Sequence, residues 1–78
     1  MVSFTKNIVG NNKILKEQLN IITREHGIVF TDETIKDEKL LTEHLNAVMV
    51  KIGKNVRFTR SIVRDPNNML NQLNVAFQ

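Results

Sequence analysis

Three segments of the chain share a pattern without gaps, and this repetition limits the possible folds more than any other feature. Each segment places an apolar residue, one variable residue, phenylalanine and threonine in that order. The three begin at Val2, Ile28 and Val56. The spacing gives units of about 26 residues, which lies within the range of known repeat proteins.

The same registers continue downstream of each Phe-Thr pair. A Leu-Asn pair stands at the same distance from the threonine in every unit. The pairs are Leu19-Asn20, Leu45-Asn46 and Leu73-Asn74. We therefore predict one domain of three repeats, covering residues 2–27, 28–53 and 56–78.

Each unit has the signals of an extended segment followed by a helix. The apolar-variable-Phe alternation is typical of a half-buried strand. An aspartate or asparagine then occupies a column that suits a helix N-cap, and Pro66 follows one of them at the favoured first helical position. Gly27 and Gly53 share a later column that suits a left-handed helix end. The N-cap column consists of Asn11, Asp37 and Asp65.

Three strand–helix units in succession predict an α/β fold: a small parallel sheet with all helices on one face. An all-α alternative starts a helix at each threonine, with the flanking apolar residues forming a hydrophobic staple. Two residues argue against it. A helix begun at Thr59 would meet Pro66 in its interior, at a cost of about 3 kcal/mol, and one begun at Thr5 would contain Gly10.

Composition excludes several classes of protein. The chain has 78 residues, no cysteine and a net charge of +3. It therefore lacks disulfides and thiolate metal sites, and it contains no apolar run near the length of a membrane span. Its start lacks the order of a signal peptide, so we expect a soluble cytoplasmic protein without a membrane partner. The many asparagines of so short a chain suggest a virus-encoded component, which would place it in the host cytoplasm or the virion.

Residues with catalytic or metal-binding chemistry are few. His26 and His44 do not have the spacing of zinc ligands, and we expect no metal and no cofactor. The acidic residues near Asp37 are explained by the dipole at a helix start. The segment Gly10-Asn11-Asn12 resembles an anion cradle only weakly. With no nucleophile motif either, the sequence predicts that the protein is not an enzyme.

Two polar columns have both a structural and a functional interpretation. The asparagines Asn20, Asn46 and Asn74 could bond to the backbone of the adjacent unit or line a surface for a partner. The threonines Thr5, Thr31 and Thr59 could form a cross-strand ladder or a binding strip.

The leading functional hypothesis follows from the ends of the repeat array. An open array needs polar terminal units, and three units in 78 residues leave no room for them. The last helix also carries more apolar residues than one core-facing stripe needs. We therefore predict a non-enzymatic structural, assembly or protein-interaction module that forms a homo-oligomer or packs on a partner protein. The predicted interface contains Val75 and Phe77 together with Thr5, Thr31 and Thr59.

The alternative is a small basic regulator that binds nucleic acid. Residues 1–27 and 54–78 carry net charges of +2 and +3, whereas residues 28–53 carry −2. Cations three or four residues apart between positions 54 and 64 could align with phosphates, although no aromatic residues alternate with them for base stacking. These cations are Lys54, Arg57, Arg60 and Arg64. Arginines that protect a strand edge from aggregation would explain the same pattern.

Overall fold

The computed structural model describes residues 3–77, so Val2 and Gln78, the outer limits of the predicted repeats, lie outside it. Within this range the chain forms six α-helices and no strand. A 3₁₀ turn, Arg24–His26, extends the second helix. The helices are α1 Lys6–Val9, α2 Asn12–Thr23, α3 Asp32–Lys36, α4 Glu38–Ile52, α5 Arg60–Arg64 and α6 Pro66–Ala76.

The predicted parallel sheet is therefore wrong, and the helical alternative describes the fold. Of the apolar-variable-Phe segments, residues 28–30 and 56–58 belong to links between helices and residues 3–4 precede α1, so none of them forms a paired strand in the described chain. Each threonine is the N-cap of a short helix. Thr31 Oγ1 accepts from the N–H of Thr34 at 3.2 Å, and Thr59 Oγ1 accepts from that of Ile62 at 3.2 Å. Three or four residues of alternation do not distinguish a strand from an extended N-terminal approach to a helix.

The objection from Pro66 failed because each unit contains two helices rather than one. Helix α5 ends at Arg64, and Asp65 then adopts an extended conformation, with φ −99° and ψ 111°. Pro66 is the first residue of α6, where its missing N–H costs nothing. Gly10 likewise lies between α1 and α2 and not inside either helix.

The predicted caps of the long helices are confirmed. The side chain of Asp37 accepts from the N–H groups of Lys39 and Leu40 at the start of α4. Asn11 and Asp65 cap α2 and α6 in the same way. Gly53 ends α4 with φ +72°, a conformation that a side chain disfavours. Gly27 has φ +75° and ends the 3₁₀ turn after α2.

The core contains equivalent residues from all three units, as the repeat predicts. Phe4, Phe30 and Phe58 are each at most 2% exposed. The leucines of the Leu-Asn pairs are fully buried beside them. The first turns of the three long helices meet around one small opening, which Leu15, Leu41 and Met69 line from equivalent positions. The units are therefore arranged around an approximate threefold axis.

The asparagine column joins each unit to the next. Asn46 Nδ2 donates to the carbonyl of Phe58 at 2.9 Å, and its Oδ1 accepts from the Phe58 N–H at 2.7 Å. Asn20 holds both backbone groups of Phe30 in the same way. The structural interpretation of this column is thus confirmed, because the amides satisfy backbone groups of the adjacent unit.

The third asparagine closes the array into a ring. Asn74 Oδ1 accepts from the Phe4 N–H at 2.7 Å, and Nδ2 donates to its carbonyl at 3.0 Å. Helices α1 and α6 pack together across this junction. The argument from missing terminal caps is therefore wrong, because the last unit covers the first.

Candidate interaction surface

The predicted basic run divides into two groups. Arg64 binds the carboxylate of Glu38 through two nitrogens, at 2.8 and 3.0 Å, and Arg60 Nε reaches it at 3.1 Å. The hydrogen bond from Arg64, assisted by Arg60, lowers the pKa of Glu38 to about 2. The same contact raises the pKa of Arg64. These two arginines link α5 to the start of α4, which leaves less of their charge for phosphates.

The other two cations line one open groove. Lys54 and Arg57 stand beside Met49, Val50 and Val56 around a space of about 310 Å³. Neither cation forms an ion pair with any residue between 3 and 77. The groove therefore combines an apolar floor with positive charge.

The threonines of the predicted interface are N-caps. Thr5, Thr31 and Thr59 remain exposed at the surface, with their hydroxyls directed to the first turns of the short helices. The hydroxyl of Thr31 also contacts that of Thr34 at 3.0 Å. A cross-strand ladder is not formed, since these residues are not in strands. Their place in an interface stays a prediction.

The two apolar residues of the predicted interface differ in exposure. Val75 is 50% exposed on α6. Phe77 is partly buried against the core, and its ring centroid lies 6.1 Å from that of Phe4. Phe77 thus contributes to the closing junction of the ring, whereas Val75 is available to another chain.

Helix α4 carries an exposed seam that the sequence analysis did not identify. Its core-facing stripe includes Leu41, Leu45 and Val48, which are at most 5% exposed. The outward face nevertheless has apolar residues too, and Val50 is 81% exposed. The seam consists of Leu40, Glu43, Ala47 and Val50. The signal was in the sequence, since the three apolar members of the seam recur at helical spacing on the face of α4 opposite its core-facing stripe.

A second groove lies along this seam. It encloses about 410 Å³ and is lined on one side by Glu43, His44 and Ala47, and on the other by Val29. Val29 is 62% exposed in the link between α2 and α3. His44 is fixed at the groove wall, because its Nδ1 lies 2.9 Å from the Leu40 carbonyl and its ring packs 5.7 Å from Phe30. Val29 thus extends the apolar part of the α4 seam across this groove.

The other chemical candidates have structural roles. The side chain of Asn11 accepts from the N–H groups of Lys13 and Ile14, so the predicted anion cradle uses these donors for its own cap. Lys16 bonds Asp32 at 2.8 Å, which lowers the pKa of that carboxyl. In the part of the chain that the structure describes, no three histidine or acidic side chains converge on a point.

The comparisons with known proteins give no family for this chain. No family model, curated protein or solved structure matches it. Between residues 3 and 77 there is also no helix with the length and apolarity that crossing a bilayer requires.

Proposed function

We propose that the protein is a non-enzymatic interaction module that acts by contacts between protein chains, first of all between copies of itself. The observation that carries this proposal is the set of large apolar side chains left outside a core that is already closed. They are Ile21, Val29, Val50 and Val75, which are 60%, 62%, 81% and 50% exposed.

The proposal is based on exposed apolar side chains and not on uncovered ends of the array. Because α6 already covers α1, no end of the array has to be covered by a partner. Single exposed apolar residues are common on protein surfaces, but Val29 and Val50 flank Ala47 and extend the surface across two grooves. An apolar surface of this kind fits another protein surface better than it fits a polar ligand. We infer a cytoplasmic setting, or the virion if the protein is virus-encoded.

Sedimentation from micromolar to millimolar concentration, at low and high salt, tests the proposal. We expect the average mass to rise with concentration and the association to persist at high salt, because apolar contacts are not screened. A protein that sediments as a monomer over the whole range at both salt concentrations would contradict self-association.

A second candidate function is nucleic-acid binding through the groove that contains Lys54 and Arg57. The unpaired state of these two cations favours it, while the Glu38 contacts of Arg60 and Arg64 weaken it. This function predicts binding to a DNA or RNA duplex that weakens steeply with salt. Substituting Lys54 and Arg57 with glutamine should then remove the binding, and unchanged affinity would exclude the groove.

A further inference from the structure

The seam of α4 has the spacing of a helix-pairing surface. Leu40, Glu43, Ala47 and Val50 follow one another at intervals of three, four and three residues, which keeps them on one face of the helix. Lys54 lies beyond the end of α4 at Ile52, outside the helical spacing, and it lines one groove together with Val50. All five residues are exposed.

The charges of the seam are arranged so that it complements itself. An acidic residue, Glu43, precedes the apolar pair Ala47 and Val50, and a basic residue, Lys54, follows it. Glu43 and Lys54 form no ion pair with any residue of the described chain. If two such seams meet in antiparallel orientation about a twofold axis, Glu43 of each copy faces Lys54 of the other. Twofold interfaces require this kind of self-complementarity.

The shapes of the side chains agree with the same register. An axis that passes between positions 47 and 50 places Val50 of one copy opposite Ala47 of the other. Ala47 is small, and the groove beside it, bounded by Val29, has about 410 Å³ of space. Val50 is the most exposed of the large apolar residues. Each copy thus supplies one projecting side chain and one recess.

We propose that two copies of this chain form an antiparallel dimer through α4, with Val50 of each in the groove between Ala47 and Val29 of the other, and Glu43 paired with Lys54. The inference rests on the proposed function and specifies its partner and surface. A contact built on one helix and one link is small, so the dimer forms and dissociates with concentration rather than being permanent.

Substitution of Val50 tests the apolar centre. Val50 is 81% exposed, so Val50→Arg adds a charge to the surface and not to the core. We expect the dissociation constant to rise at least about tenfold. Val75→Arg on α6 tests the alternative interface, and it should leave the dissociation constant unchanged if the α4 seam is the contact. The matched control is Ile14→Arg on α2, at an exposed apolar residue that belongs to neither surface. Circular dichroism of all three variants verifies that the helices remain.

An exchange of charges tests the orientation. In a dimer of the Glu43→Lys variant, two lysines face each other at both contacts. In a dimer of the Lys54→Glu variant, two glutamates do. Each variant alone should therefore associate more weakly than the original chain. An equimolar mixture of the two restores both opposite-charge contacts, so it should form heterodimers with about the original affinity. Sedimentation of the separate and mixed variants gives this comparison directly.

The outcomes separate this inference from the proposed function. Association that is lost in Val75→Arg but kept in Val50→Arg would place the interface on α6, which overturns the α4 dimer and leaves self-association standing. Failure of the mixed variants to recover would overturn the antiparallel register. A monomer at all concentrations in the unmodified chain would overturn both.

Discussion

Removal of the Asn74 amide tests whether the ring is held closed by the junction between its first and last units. In Asn74→Ala the Phe4 N–H and carbonyl lose partners at 2.7 and 3.0 Å. Each buried backbone group left unpaired costs about 1–3 kcal/mol, and water will reach part of this site, so we expect a loss of about 2–4 kcal/mol in total. For a domain of this size that corresponds to a fall in Tm of roughly 10–25 °C.

Chemical denaturation measures this loss, and hydrogen exchange locates it. We expect the Phe4 amide to exchange much faster in the variant, because opening this junction does not require the other two to open. Asn74→Asp sharpens the comparison, since a carboxylate can still accept from the Phe4 N–H but cannot donate to its carbonyl. It should also be destabilised.

The matched control is Asn71→Ala, which removes an exposed amide one turn earlier on α6. It should change the free energy of unfolding by less than about 0.5 kcal/mol. If Asn74→Ala and Asn71→Ala lower the free energy of unfolding equally, or if Asn74→Ala lowers it by less than about 1 kcal/mol, the Asn74 amide does not stabilise the closed ring.

Three further predictions address the core, the ion pairs and a helix end. Phe30→Ala should lower the free energy of unfolding by about 3–5 kcal/mol, because Phe30 is 1% exposed in the core. A thermal melt should then show that much of the variant protein is unfolded. Glu38 has a pKa lowered from 4.5 to about 2, so its contribution to stability is complete above pH 4.5 and is lost as the pH falls towards 2. Glu38→Gln should therefore reduce the loss of stability over that interval in acid denaturation, whereas Glu33→Gln, at an exposed position without an ion pair, should not. Gly53→Ala should lower the free energy of unfolding, measured in urea, by about 1–2 kcal/mol, because a side chain is strained at the Gly53 φ of +72°. An unchanged free energy of unfolding would refute this backbone strain.

The candidate surface was only partly predictable. Lys54 and Arg57 were predicted as members of one basic run, and they do share a groove. Arg60 and Arg64 were assigned to the same run, but they lie on α5 and face Glu38. Helical spacing puts cations on one face only while the helix continues, and residues 53–59 between α4 and α5 are not helical.

The sequence by itself determined the repeat, the buried phenylalanines and the caps of the long helices. The caps depend on contacts within a few residues, such as the bonds from Asp37 to the first turn of α4, and the repeat can be seen from residue identities alone. A threonine before a short helix and a strand residue look alike over so short a span, so the same local information left sheet and helix undecided.

Only the tertiary structure decided that the three units form a ring. The Asn74 amide bonds to Phe4, which lies 70 residues away in the chain, and no local pattern states where an array of units turns back on itself. Closure depends on the angle between successive units, which is set by the packing of the phenylalanines and leucines around the common axis. Helical periodicity alone places Val48 and Val50 on opposite faces of α4, and the packing of the units decides that the face of Val48 is buried in the core while that of Val50 is exposed to solvent.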